Sequence, residues 1–128
     1  RRLCALPAFW VGLLYDQTAL DAAWDLCKNW TAEQREALRV AASVDGLQAK
    51  VDGINMLELA REVVAISEAG LKARARPGVG GLVPDETHFL NALKESIETG
   101  QTPADELLGK YNGEWVGDLS KIYDEYSY

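Results

Sequence analysis

The stretch RRLCALPAFWVGLLYD, residues 1–16, sets two arginines ahead of an apolar run that carries no charge from Leu3 to Tyr15. Three readings compete for it. A secretory or twin-arginine signal also places basic residues before an apolar segment. Here, however, the segment holds Pro7, Phe9, Trp10 and Tyr15, and no small-x-small cleavage site precedes Asp16. A membrane span needs about 20 apolar residues, more than this run supplies. The third reading is a buried helix of a globular protein, and it is the one adopted. A helix apolar on all sides has to be covered on all sides. The segment therefore implies a large amount of protein around Leu6, Trp10 and Leu13.

The rest of the chain is compatible with that. With 128 residues, 48% of them hydrophobic and 26% charged, it has the make-up of one globular domain with a modest core. The net charge of −7 argues against a nucleic-acid binder, which would carry a basic footprint, and against adsorption to anionic membranes. Basic residues gather only at Lys72, Arg74 and Arg76, where they suit the negative end of a helix or, less simply, hold an anion. No export signal is read, so the expected compartment is the cytoplasm.

Punctuation along the chain reads as helix after helix. Residues 3–15 form the first, with Pro7 early enough to cost little. Residues 16–30 form the second, with Leu20, Ala23, Trp24 and Cys27 on its inner face. Thr31-Ala-Glu-Gln34 is a capping box, which also explains the Asn29-Trp30-Thr31 sequon without glycosylation, and a third helix runs to about Ser43. Residues 47–54 read as irregular between Gly46 and Gly53. Asn55 caps the longest helix, which ends before Pro77 and buries Met56, Leu59, Ala60, Val63 and Ile66. After a glycine-rich loop at residues 78–84, Phe89, Leu90, Leu93 and Ile97 mark a helix stopped by Gly100. Thr102-Pro103 opens the next, which Asn112-Gly113 breaks, and a last short helix covers about 118–126. No sustained alternation of period two predicts a strand. The expected fold class is all-α, with six to seven helices. Trp115, Tyr123, Tyr126 and Tyr128 form an aromatic end, which docks rather than floats.

The residues alone yield no active site. Gly78-Val-Gly80-Gly81 lacks the Lys-Ser/Thr and the preceding strand of a phosphate loop. Asp21 and Asp25 are four residues apart and read as a solvated acidic face sooner than a Mg²⁺ pair. The single histidine, His88, excludes a multi-histidine metal site, and a hydrolase built on it would need a nucleophile and an oxyanion hole. Neither a catalytic residue nor a metal ligand is assigned. If the first two helices formed an antiparallel hairpin, Cys4 and Cys27 could approach; otherwise they are two buried thiols.

Residues 1–16 resemble a signature of glutamate–cysteine ligases of the plant and proteobacterial type. Further blocks follow in the same order: NWTAEQREALR at 29–39, LELAREVVAISEAGLKARAR at 57–76, DETHFLNAL at 85–93, TPADELLGKYNGEW at 102–115, and the aromatic IYDEYSY at 122–128. The resemblance spans essentially the whole chain, while residues 44–54 and 78–84 depart from the pattern. It implies an enzyme that forms γ-glutamylcysteine, the first step of glutathione synthesis. ATP phosphorylates the glutamate γ-carboxylate, and the cysteine amine displaces the phosphate. It implies ATP and Mg²⁺ held mostly by an antiparallel sheet from a preceding part of the chain. This chain would then be the C-terminal helical region of a larger α+β ligase, inactive alone, with its first helix packed on that sheet. The partners implied are the rest of the ligase chain, the substrates glutamate and cysteine, and a second copy in a homodimer. Arg1 and Arg2 are expected to bind substrate carboxylate or phosphate. Cys4 is expected to be a redox residue, paired upstream in plant-type relatives. The alternative function is a stand-alone helical module for docking or dimerisation, derived from such an enzyme.

Overall fold

A computed structural model describes residues 2–75 and 86–126. Among the described residues the chain forms seven α-helices and one two-stranded hairpin. The first two helices are α1 (Arg2–Leu14) and α2 (Gln17–Cys27), and they meet at a 95° bend. Pro7 sits inside α1, within its first two turns, as expected. Asp16 makes the bend abrupt: its carboxylate leaves the helical path and accepts the Ala19 N–H at 2.9 Å, starting α2 afresh. No single helix among the described residues is long and apolar enough to cross a membrane.

Helix α3 (Ala32–Asp45) opens on the expected capping box. Thr31 Oγ1 accepts the Gln34 N–H at 3.1 Å, and Gln34 Oε1 accepts the Thr31 N–H at 3.0 Å. The segment read as irregular turns out to contain a hairpin, β1 (Lys50–Val51) and β2 (Ile54–Asn55), paired antiparallel with Val51 opposite Ile54. Its turn is Asp52-Gly53, both at positive φ (49° and 82°), the geometry that favours Asp-Gly between two strands. Reading Gly53 only as a breaker misses that signal.

Helix α4 (Met56–Arg74) is the longest and lies against α1, α2 and a short 3₁₀ turn at Glu86–Leu90. Its N-cap is Asn55, whose side chain accepts the Leu57 N–H at 3.1 Å. Its fully buried stripe is Val64, Ser67, Gly70 and Leu71. The stripe expected from spacing, Met56, Leu59, Ala60, Val63 and Ile66, is only half-buried. The reason is the partner: α1 crosses so closely that only a glycine and a serine fit beneath it. Gly12 of α1 sits over Ser67 and Gly70, and a Cβ on Gly70 would fall on the Gly12 carbonyl oxygen. Beside this crossing Ala8, Leu71 and Leu90 form the core, walled by Phe9, Val11, Phe89 and Leu93. Leu71 and Leu90 are 1% and 0% exposed, so each contributes about 1.5–3 kcal/mol of burial.

The remaining helices are α5 (Asn91–Thr99), α6 (Pro103–Asn112) and α7 (Lys121–Tyr126). Gly100 ends α5 in the left-handed region (φ 67°), and Thr102 with Pro103 opens α6, both as expected. In α2 the expected inner face is shifted. Ala19 is buried, whereas Trp24, expected inside, is 62% exposed.

Candidate functional site

Of the residues expected to touch substrate, Arg1 lies outside the described residues, as does the side chain of Arg2; Arg2 itself opens α1. The helix that follows has two unlike faces. Ala5, Ala8, Gly12 and Leu13 turn inward, onto α4 and the 3₁₀ turn. Leu3, Leu6, Trp10 and Leu14 turn outward and are exposed. Within the described chain Leu13 is buried, whereas Leu6 and Trp10 are left uncovered.

Cys4 is an exposed free thiol, and Cys27 is a half-buried free thiol whose Sγ lies 3.6 Å from the Ala23 carbonyl oxygen. The disulfide considered between them does not form. It required an antiparallel α1–α2 hairpin, and the 95° bend replaces that hairpin.

The charged residues singled out in sequence are committed to neighbours. Asp21 accepts the Gln17 amide at 2.7 Å, and Asp25 pairs with Lys28 at 2.8 Å. Glu68 receives Lys72 at 2.8 Å and Lys94 at 2.7 Å, and these two hydrogen bonds hold its carboxyl below the usual glutamate range. Arg74 lies 4.0 Å from Glu86 and 5.5 Å over the Tyr15 ring, while Arg76 lies outside the described residues. His88, in the 3₁₀ turn that precedes α5, packs against Phe89 with ring centroids 4.0 Å apart. The glycine-rich loop at 78–84 lies outside the described residues.

At the other end, the expected docking of the aromatic segment is seen for two of its members. Trp115 is buried, and its Nε1–H donates to Glu125 Oε1 at 2.7 Å. Lys110 donates to Glu125 Oε2 at 2.6 Å and lies 5.2 Å from the Tyr126 ring and 5.9 Å from the Trp115 ring. Tyr126 meets Trp115 edge-on at 6.4 Å. Tyr123 points to solvent, and Tyr128 lies outside the described residues. The Lys110–Glu125–Trp115 network has no spacing signature, since its members lie on two helices and the loop between them.

Among the described residues no group of three or more His, Cys, Asp or Glu side chains could hold a metal ion. A polar cleft of about 140 Å³ opens between the end of α5 and the start of α6, lined by Glu95, Ser96, Thr99, Gln101, Thr102 and Glu106. It is small against the roughly 300–1,000 Å³ of ligand pockets, and its acidic lining repels phosphate.

A model of the family described as glutamate-cysteine ligase family 2 matches residues 1–125. The chain is 43% identical over 129 residues to glutamate–cysteine ligase, chloroplastic, of Brassica juncea, and 43% identical over 129 residues to that of Arabidopsis thaliana. Against glutamate–cysteine ligase A, chloroplastic, of Oryza sativa subsp. indica it is 39% identical over 128 residues. In each case the match covers 100% of this chain and 23–24% of the relative, so the chain spans about a quarter of their length. These names overturn the cytoplasmic expectation, because the relatives are chloroplastic enzymes. An address carried elsewhere in a longer polypeptide leaves no mark on a helical segment. Sequence blocks in register, a helical fold and a match running from residue 1 to 125 agree: this chain belongs to glutamate–cysteine ligase family 2.

Proposed function

We propose that this chain is the helical part of an ATP-dependent ligase that joins the glutamate γ-carboxylate to the cysteine amine, the first step of glutathione synthesis. The observation that carries this reading is the family match over residues 1–125, together with relatives named for that reaction. The amide bond forms between the γ-carboxyl carbon and the amine nitrogen. The carboxyl oxygen leaves with the phosphoryl group that ATP donated.

The described residues do not fit ATP or Mg²⁺. Asp25, Glu68 and Glu125 are each held by an ammonium, Asp21 by an amide, and the one cleft described above is small and acidic. In this reading ATP and Mg²⁺ bind in the rest of the ligase, and this chain supplies a rigid helical frame that carries Arg1 and Arg2 to the substrate. A guanidinium suits a carboxylate or phosphate because its planar fork donates two parallel hydrogen bonds.

The test is an assay of the full-length ligase with ATP, Mg²⁺, glutamate and cysteine. Formation of γ-glutamylcysteine with stoichiometric release of ADP and phosphate is expected. ADP release that requires glutamate but is indifferent to cysteine, or a different amine consumed in its place, would overturn the assignment. Residues 1–128 expressed alone are expected to give no ADP and no dipeptide.

A further inference from the structure

The turn between α6 and α7 holds the chain in a conformation that one of its residues resists. Val116 lies at φ 48° and Gly117 at φ 84°. Glycine adopts this left-handed region freely, but a β-branched residue there is an outlier, because its Cβ crowds the following carbonyl. Packing of the side chain does not offset the cost, since Val116 is 87% exposed. The backbone on either side imposes the geometry instead. The Trp115 N–H donates to the Lys110 carbonyl at 2.9 Å, that of Gly117 to Tyr111 at 2.8 Å, and that of Asp118 to Trp115 at 2.8 Å. These bonds turn the chain back over the end of α6 and seat the buried Trp115 indole beside Lys110.

The segment beyond the turn is lightly held. No residue of α7 is buried. Ser120 bonds to Asp118, and the Ile122 and Tyr123 N–H groups donate to Leu119 and Ser120, all within the segment itself. Its ties to α6 and to the turn converge on the last two described residues. Glu125 accepts from Lys110 at 2.6 Å and from the Trp115 Nε1–H at 2.7 Å, and the Tyr126 hydroxyl donates to Glu106 at 3.3 Å. Strained backbone persists only where its surroundings over-determine it. Glu125 supplies that constraint, because it fixes the indole of the residue next to Val116.

We propose that residues 116–126 form a strained strap: α7 swings away as a unit about Val116-Gly117, Glu125 is its latch, and relaxation of Val116 to an extended backbone favours the open state. Opening uncovers the Trp115 indole and breaks the contact of Tyr126 with Glu106, a wall of the cleft between α5 and α6. A few concentrated contacts separate the two states, so the strap opens without unfolding the helices behind it. The device uses only side chains of α6, α7 and their turn, and it stands or falls independently of the ligase assignment.

Hydrogen–deuterium exchange of the full-length ligase tests this, read by mass spectrometry on peptides covering residues 115–126 and 60–74. The strap should exchange at least about tenfold faster than α4. Val116→Gly and Val116→Asn, which accept the left-handed region, should each slow exchange of 115–126 by about threefold or more, the reverse of the loosening that an added glycine ordinarily brings. Glu125→Gln should speed it by about tenfold, as expected for a lost charge-assisted bond, and leave 60–74 unchanged. Unchanged or faster exchange in either Val116 variant would overturn the proposal. So would a strap as protected as α4, a Glu125→Gln protein that exchanges like the wild type, or one in which α4 loosens to the same extent.

Discussion

Ser67 donates its hydroxyl proton to the carbonyl oxygen of Phe9 at 2.9 Å, from the centre of α4 to the centre of α1. Ser67 is 0% exposed, and this bond spans 58 residues of sequence at the point where the two helices come closest. It marks the site at which packing tolerates neither a larger side chain nor a bare cavity.

The first prediction concerns that crossing. Replacing an interior helix glycine by alanine normally stabilises by about 1 kcal/mol through propensity alone. Here the sign should invert. At Gly12 an added methyl meets the Ser67 backbone, and at Gly70 it meets the Gly12 carbonyl, neither of which can swing aside. Gly12→Ala and Gly70→Ala should each destabilise by about 1–3 kcal/mol or more. Ser67→Ala should cost about 1 kcal/mol. Urea unfolding of the purified protein separates these; a rise in stability for either glycine variant contradicts the crossing as described.

Leu71 and Leu90 fill the space beside the crossing and touch no solvent. Leu71→Ala and Leu90→Ala should each cost about 2–5 kcal/mol, set by how far Phe9, Phe89 and Leu93 close the void. Thermal melts read the loss. Met at either position should cost less than about 1.5 kcal/mol, since it nearly conserves volume.

Thr31 offers a purely local test. Its hydroxyl accepts the Gln34 N–H, and nothing distant depends on it. Thr31→Ala should lower stability by about 1 kcal/mol, and Thr31→Ser should restore most of it. Circular dichroism during denaturation gives both values. Equal stability of all three proteins would show that the box contributes nothing to α3.

Glu125 should give the C-terminal helix a pH dependence. Its carboxyl is held below the ordinary glutamate value, first by the Lys110 hydrogen bond and then by that from Trp115. A carboxylate whose folded pKa is depressed contributes stability above its unfolded pKa and loses it as pH falls through the folded one. The contact between α7 and Trp115 should therefore loosen below about pH 4.5, the ordinary glutamate value. Lys110 is pushed up by the same hydrogen bond, so it stays charged throughout that window. Tryptophan fluorescence against pH reads the loosening, and Glu125→Gln should abolish the pH-dependent step while leaving the rest of the curve in place.

The arginines test the functional reading. In the full-length ligase Arg1→Ala or Arg2→Ala should raise the KM for glutamate by about tenfold or more, the loss of one charge-assisted hydrogen-bonded pair. Lysine should rescue only part of it, since an ammonium lacks the planar fork. Unchanged KM values in both variants would leave the two arginines as surface residues.

Much of the secondary structure is written locally. Thr31 with Gln34, Thr102 with Pro103, Gly100, and the Asn112-Gly113 break each act within one helical turn, so neighbours in sequence suffice to read them. The family, too, is legible from residue blocks alone, and the match over residues 1–125 agrees. Three things were decided by packing. A helix apolar all round states that it will be buried but not on which side; the close fit of Gly12 on Ser67 turned Ala8 and Leu13 inward and left Leu6 and Trp10 outside. The same fit moved the buried stripe of α4 from its larger aliphatics to Ser67 and Gly70, because a close helix crossing selects small side chains. The 95° bend at Asp16 separated Cys4 from Cys27, and no count of intervening residues measures the angle between two helices. Local hydrogen bonds are fixed by sequence neighbours, whereas the burial of a face depends on what lies across it.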